Sequence, residues 1–77
     1  MIPLYGFLQG DTIGVLIFAY EQDTAEQLAR KLEVAASTRV APREGLRLHV
    51  SGKAVDPKLT VAKLGLRPLE RVDGVYV

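Results

Sequence analysis

The first twenty residues consist of two apolar, β-prone runs separated by a short polar segment. The runs extend from Ile2 to Leu8 and from Thr12 to Tyr20, and Gly10-Asp11 between them is a favoured pair for a tight turn. The pattern therefore predicts a β-hairpin with a two-residue turn. That turn sets the register of one face, with the pairs Leu8 and Ile13, Gly6 and Val15, Leu4 and Ile17, and Ile2 and Ala19.

Helical periodicity follows the hairpin. Apolar residues recur at three- and four-residue spacing, and charged residues lie largely on the opposite side of the helix. The apolar positions are Ala25, Leu28, Ala29, Leu32, Ala35 and Ala36. Asp23 is followed three residues later by Glu26, so we predict a capping box with Asp23 as the N-cap. We expect this helix to end near Ser37.

The second half of the chain predicts shorter elements. Residues Arg39 to Gly45 contain a proline and a turn-forming glycine, which makes them a connector. Leu46 to Val50 alternates apolar and polar residues, the pattern of a strand with one buried face. Thr60 is positioned to cap one short helical turn that Gly65 ends. Arg71 to Val77 is predicted to be the last strand.

This order of hairpin, helix, strand, short turns and strand is that of an α+β domain of the β-grasp type. We predict a mixed sheet of four or five strands with one main helix packed on one face. Because 77 residues can form only one small core, residues 1–77 are predicted to be a single domain. Whether Val72, Gly74 and Tyr76 of the last strand face the core or the solvent stays open at this point.

The second face of the hairpin is apolar as well. Its members are Tyr5, Phe7, Leu16, Phe18 and Tyr20, which include four of the five aromatic residues. One short helix covers only one face of a sheet, so nothing in this chain is expected to bury the other. We predict that this face is a permanent protein interface, for which aromatic enrichment and few charges are typical. The alternative is ordinary apolar surface, since aromatic residues also favour strands.

Composition narrows the possible functions. Ten basic residues against nine acidic ones give a net charge of +1, which is too balanced for nucleic-acid binding by phosphate neutralisation. The absence of cysteine excludes disulfides, thiol catalysis and cysteine-ligated metals, and it fits a cytoplasmic protein. The N-terminus carries no basic region leading into an apolar stretch, and no apolar run approaches the length of a membrane-spanning helix. We therefore expect neither a nucleic acid nor a membrane as a partner.

The sequence offers little catalytic chemistry. His49 is the one obvious general base, and it occupies an outward position of an amphipathic strand, where a solvated surface histidine is expected. No Glu-x-x-His spacing on a helix suggests a metal site, and the glycines form no phosphate-binding loop. We predict no catalytic, metal-binding or cofactor-binding residues in this chain.

Two resemblances add to this reading. Residues 46–55, Leu59-Thr60-Val61 and the final strand resemble the second half of ubiquitin-like proteins, whose fold is the β-grasp. The chain lacks the Gly-Gly tail by which conjugated modifiers of this fold react, which disfavours a modifier role. A free-standing ubiquitin-like binding module nevertheless remains an alternative function.

The second resemblance is narrower and covers nearly the whole chain. The Ile2-Pro3 start, the run Arg-Val-Ala-Pro-Arg-Glu-Gly at 39–45, and the Gly65 to Pro68 turn resemble the small B, or gamma, subunit of toluene-type bacterial multicomponent monooxygenase hydroxylases. The resemblance implies an auxiliary subunit bound to a large helical subunit that holds a di-iron centre, with a second helical subunit beside it. The assembled enzyme would use dioxygen and electrons from NADH, relayed by a reductase and a ferredoxin, to hydroxylate aromatic rings or epoxidise alkenes.

For the 39–45 connector two interpretations remain open. It is either a rigid link whose path Pro42 and Gly45 set, or a docking loop in which Arg39 or Arg43 pairs with carboxylates of the large subunit. The two can coexist. The predicted interface residues are therefore Tyr5, Phe7, Leu16, Phe18, Tyr20, Arg39, Pro42 and Arg43.

Overall fold

A five-stranded mixed sheet, crossed on one face by a single main helix, forms this protein in a computed structural model that describes all 77 residues. The elements are β1 Ile2–Leu8, β2 Val15–Ala19, α1 Ala25–Ala35, β3 Leu46–Val50, β4 Lys53–Ala54, α2 Val61–Leu64 and β5 Arg71–Tyr76. The strand order is β2-β1-β5-β3-β4, with β1 and β5 parallel and the other neighbours antiparallel. The predicted β-grasp fold is thus confirmed, with a short fifth strand, β4, that the sequence pattern did not indicate.

The hairpin has the predicted register but a longer loop. Ile2 pairs with Ala19 and Leu4 with Ile17, as expected. However, β2 begins at Val15, and the predicted pair of Leu8 with Ile13 does not form. The chain turns early, because the Asp11 amide donates to the Leu8 carbonyl at 2.9 Å and Gly10 adopts a φ of +91°. Residues 9–14 therefore form a six-residue loop instead of a two-residue turn.

The N-cap of α1 is Thr24, and the prediction of Asp23 was wrong by one residue. The Thr24 side chain accepts from the Gln27 amide, and the Gln27 side chain accepts from the Thr24 amide, which completes a capping box. Thr24 is held extended by a bridge to Thr60, so the helix can begin only after it. Ala35, predicted on the buried side, is exposed at the end of the helix.

The core lies between α1 and the inner face of the sheet, the face that carries the helix. Its fully buried large side chains are Leu4, Leu28, Leu32 and Val72. In β5, Val72 and Gly74 are buried and Tyr76 packs against the core, so this strand turns these three residues inward. The predicted short helix also forms, with Thr60 as its N-cap and Gly65 in the left-handed conformation at its end. Neither helix has the length and apolar content needed to cross a bilayer.

Candidate protein-interaction surface

The outer face of the sheet, which points away from α1, carries a group of large apolar side chains on β1, on β2 and at the residue that follows β2. We call this group the aromatic patch; its members are Tyr5, Phe7, Leu16, Phe18 and Tyr20. Strand alternation places it there, because Leu4, Ile17 and Ala19 of the same strands are buried on the inner face. Four members are half-exposed, with exposed fractions of 47% for Tyr5 and Leu16 and 49% for Phe18 and Tyr20. No element of the chain covers the patch, as the sequence predicted.

Phe7 is the most firmly held member of the patch. A Cβ placed on Gly14 would lie only 2.7 Å from the Phe7 ring, so the ring rests directly on the glycine backbone. On the same ring lies the Arg71 guanidinium, 4.2 Å from the ring centre. Nε and Nη2 of Arg71 both donate to Oδ1 of Asp73, at 3.2 and 3.1 Å. Phe7 is therefore fixed between a backbone and a cation.

The outer face becomes polar on β5 and β3. Asp73 lies opposite His49, and Arg47 lies opposite Val75 on the same face. A depression of about 420 Å³ crosses this region and includes Phe7, His49, Arg71 and Asp73 in its lining. The outer face thus consists of an apolar half on β1 and β2 and a polar half on β5 and β3, which meet where Arg71 lies on Phe7.

The free edge of β2 is partly covered by Lys31 of α1. Its Nζ donates to the Phe18 carbonyl at 2.8 Å and to Oδ2 of Asp23 at 2.7 Å, and it lies 4.9 Å from the centre of the Tyr20 ring. Asp23 also accepts from the Tyr20 amide at 2.9 Å. Desolvation raises the pKa of Asp23, but the hydrogen bonds from Lys31 and the Tyr20 amide outweigh it and leave that pKa below its usual value. The Phe18 carbonyl and the Tyr20 amide, two backbone groups that an added strand would use, are therefore already occupied.

Arg39 of the connector has its partner inside the chain. Its Nε lies 2.9 Å from Oδ1 of Asp11 and its Nη2 lies 3.0 Å from Oδ2, a two-pronged pair that closes the hairpin loop onto the connector. The Asp11 side chain is only 1% exposed. The hydrogen bond from Arg39 lowers the pKa of Asp11, and the same bond raises the pKa of Arg39. This geometry favours the interpretation of the connector as a rigid link at Arg39.

The other connector residues lie beside the inner face. The Arg43 guanidinium stacks on Tyr76, 4.3 Å from the ring centre, and the Tyr76 hydroxyl donates to Oε2 of Glu33 at 2.8 Å. Desolvation and the bond to Glu33 raise the pKa of Tyr76. Pro42 is exposed. The structure brings the five patch residues together and separates them from Arg43, which lies on the other side of the sheet.

Nothing in the chain matches the ligand set of a metal centre. No three His, Cys, Asp or Glu side chains come close enough to hold an ion, so the residues present do not fit a di-iron site. His49 projects from the outer face of β3 and is half-buried opposite Asp73. The acidic side chains described above are committed to hydrogen bonds and ion pairs within the fold.

Sequence reasoning missed the polar half of the outer face. Arg47 and Arg71 are ordinary strand residues by pattern. The parallel pairing of β1 with β5 places Arg71 beside the aromatic patch, and the pairing of β3 with β5 places Arg47 farther along the same face. The available signal was the alternation in the last strand: once Val72 is assigned to the core, Arg71 and Asp73 must lie outward.

The fold and the single uncovered sheet face define a ubiquitin-like β-grasp protein. A ubiquitin from Caldiarchaeum subterraneum superposes with a TM-score of 0.76 at 16% identity, covering 99% of this chain and 92% of the other. At that identity the likeness shows the fold alone.

More specific matches identify the family. Residues 1–76 match the model of toluene-4-monooxygenase system protein B (TmoB), and the chain belongs to this family. The hydroxylase component subunit gamma of the toluene-4-monooxygenase system of Ectopseudomonas mendocina is 32% identical over 78 residues, covering 96% of this chain and 93% of that protein. A chain of a solved toluene 4-monooxygenase HD complex with the inhibitor 4-bromobenzoate superposes with a TM-score of 0.91 at 30% identity, covering 99% of this chain and 98% of that one. The resemblance noted in the sequence is thus confirmed.

Proposed function

We propose that this chain is the small, non-catalytic gamma-type subunit of a multicomponent di-iron monooxygenase hydroxylase acting on aromatic hydrocarbons or alkenes. The observation that carries the proposal is the match to one family over residues 1–76, with a relative of nearly equal length that is a hydroxylase gamma subunit. The uncovered aromatic patch supports it independently, because a subunit that acts by docking needs such a surface.

The chemistry of the assembled enzyme would reside in other chains. The di-iron centre would belong to the large helical subunit, where it would supply dioxygen activation with electrons from NADH, a reductase and a ferredoxin. No three His, Asp or Glu side chains of this chain lie close enough together to hold a metal ion. The contribution that we propose for it is to bind and support the subunit that holds the iron. Substrate choice would then be decided by a pocket of the large subunit.

The aromatic patch is the surface by which we expect this chain to bind the large subunit, with the second helical subunit nearby. Half-exposed Tyr5, Leu16 and Phe18 offer adjacent apolar side chains on a stiff sheet, which lose little conformational freedom on docking. Lys31 occupies the Phe18 carbonyl at the edge of β2, which disfavours strand addition and leaves the face of the sheet as the contact.

The connector would contribute less to this interface. Arg39 is engaged with Asp11, so any contact with a partner would have to share that guanidinium. Pro42 and Arg43 are exposed, but Arg43 lies beside Tyr76 on the inner side of the sheet. A docking role for Arg39, Pro42 and Arg43 stays a prediction, and it would require a contact separate from the aromatic patch.

The test is co-expression of the tagged chain with the hydroxylase subunits of the same organism, followed by size-exclusion chromatography and iron analysis. We expect a stoichiometric complex in which the iron stays with the large subunit when the complex is dissociated. A folded chain that remains monomeric in the presence of those subunits would overturn the proposal and favour a free-standing ubiquitin-like binding module.

A further inference from the structure

Arg71 is a preorganised cation at the border of the aromatic patch. Its guanidinium lies over the Phe7 ring, 4.2 Å from the ring centre, and two of its N–H groups donate to Asp73. Nη1 and the second hydrogen of Nη2 have no partner in the chain, and the side chain is 66% exposed. An arginine held in this way has already lost much of its rotamer freedom, so a further bond costs little entropy.

On the outer face, β5 and β3 carry more positively than negatively charged side chains. The polar half of the outer face contains two guanidinium groups, those of Arg47 and Arg71, and one carboxylate, that of Asp73. This carboxylate already accepts hydrogen bonds from Arg71. Asp11, which also borders the depression, is paired with Arg39. His49 adds a further possible donor in the same depression. The two carboxylates that line the depression, Asp11 and Asp73, are therefore both bonded to arginines, and Glu70, which lies beside Arg71, accepts from the Arg67 amide through Oε1.

From this arrangement we infer that Arg71 is the polar anchor of the interface and binds a carboxylate of the large hydroxylase subunit. The matching surface on that subunit is an apolar area with an Asp or Glu side chain at its rim, so that the apolar area covers the aromatic patch while the carboxylate enters the depression between Phe7 and His49. The inference rests on the function proposed above. It adds the chemistry of the partner surface and the orientation in which it docks.

The charge pattern explains why one orientation is selected. Apolar contact alone is non-directional, and the aromatic patch could meet a flat apolar surface in several rotations. A single buried carboxylate paired with Arg71 at one border fixes the rotation, because any other orientation leaves both charges unpaired.

The experiment measures the affinity of the purified chain for the purified hydroxylase lacking it, by titration calorimetry, for wild type, Arg71→Gln and Arg71→Lys. Arg71→Gln is expected to weaken binding about tenfold or more, as loss of an interface arginine does. The affinity of Arg71→Lys should fall between those of wild type and Arg71→Gln, because lysine keeps the charge but lacks the planar guanidinium. Arg30→Gln is the matched control, because Arg30 is on α1 and its side chain is 75% exposed. The affinity of this variant for the hydroxylase should equal that of the wild type.

Salt dependence and thermal unfolding complete the test. Wild-type binding should weaken as salt is raised from 50 to 500 mM, a range that screens exposed charges strongly, and Arg71→Gln should show a smaller dependence. Equal melting temperatures for the free variants would show that the loss arises at the interface. If wild type binds and Arg71→Gln binds equally well, this inference fails while the proposed function stands. If wild type does not bind at all, the proposed function itself fails.

Discussion

Two strand glycines determine how closely α1 approaches the sheet. A Cβ on Gly6 would lie 2.6 Å from Cδ1 of Leu32, and one on Gly74 would lie 2.9 Å from Leu8 and 3.1 Å from Cδ2 of Leu32. Leu32 therefore packs into the space left by two missing side chains on neighbouring strands. The sequence shows both glycines, but their common partner follows only from the pairing of β1 with β5.

Replacing Gly6 with valine distinguishes the effect of core packing on stability from the effect of strand propensity. Propensity alone predicts a more stable strand, since glycine is unfavourable there and valine is favourable. Overpacking against Leu32 predicts the opposite, a loss of about 1–3 kcal/mol in the free energy of unfolding, and we expect this second result. Urea denaturation measures it.

Leu32→Ala provides the control for that prediction. Alone it should cost about 2–5 kcal/mol, as truncation of a buried leucine does. Combined with Gly6→Val it should cost less than the sum of the two changes, because the valine then fills part of the space that Leu32 vacates. Strict additivity would mean that the two side chains do not compete for the same volume.

The Asp11–Arg39 pair gives the chain a predictable response to acid. Because the pKa of Asp11 is lowered in the folded state, the pair's contribution is present above the ordinary carboxylate pKa of 3.8 and is lost as the pH falls through the folded value. Arg39→Gln should therefore reduce stability at pH 6 and have a smaller effect at pH 2. Melting temperatures across this range check it, with Arg30→Gln as the control; a deficit that does not change with pH would contradict the ion-pair explanation.

At the scale of elements, the start of α1 shows what local sequence cannot decide. Two potential capping boxes are offset by one residue, Asp23 with Glu26 and Thr24 with Gln27, and either satisfies the local rules. The choice is made at a distance, since the bridge between Thr24 and Thr60 holds Thr24 extended. The loop before β2 also depends on a distant contact, because Asp11 in this loop is held by a hydrogen bond from Arg39, 28 residues away.

Thr24→Ala tests the observed cap. The side chain accepts the Gln27 amide at 3.2 Å, and its loss should lower the free energy of unfolding by about 1 kcal/mol in urea denaturation. Thr24→Ser keeps the hydroxyl and should lose only a fraction of this. If both variants were equally destabilised, the effect would come from the lost methyl group and the helix would not depend on this cap.

At the scale of the whole molecule, the sequence pattern predicted the fold well because α1 and every strand except the short, exposed β4 have a buried face. Apolar, β-prone runs located β1 and β2, alternation located β3, and the order of elements then left few possible topologies. The facing of β5 was not predictable, since the strand lies in the centre of the sheet and its neighbours are distant in sequence. The aromatic patch was predicted, because its members belong to one hairpin and are close in sequence. Its polar border, formed by Arg71 on Phe7, was not predicted, because it depends on the pairing of β1 with the distant β5.

Because the aromatic patch is uncovered, a change in it should affect assembly and leave folding intact. Phe18→Asp tests this expectation. Phe18 is 49% exposed and contributes nothing to the buried core, so the isolated variant should keep the wild-type circular dichroism spectrum and lose at most about 1 kcal/mol of stability from strand propensity. Binding to the hydroxylase should weaken by about 30-fold or more, because truncating an interface anchor costs about 2 kcal/mol and a buried, unpaired carboxylate adds to that loss.

Val34→Asp is the matched control for the Phe18 variant, because Val34 is 72% exposed on α1, away from the outer face of the sheet. Like Phe18→Asp, this variant replaces an exposed apolar side chain with a carboxylate. It should co-purify with the hydroxylase at the wild-type level. If Phe18→Asp folds normally and also co-purifies undiminished, the aromatic patch is ordinary surface. If Val34→Asp prevents assembly and Phe18→Asp does not, the helix side of the molecule is the docking surface. The edge of β2 that Lys31 covers would then be part of the interface.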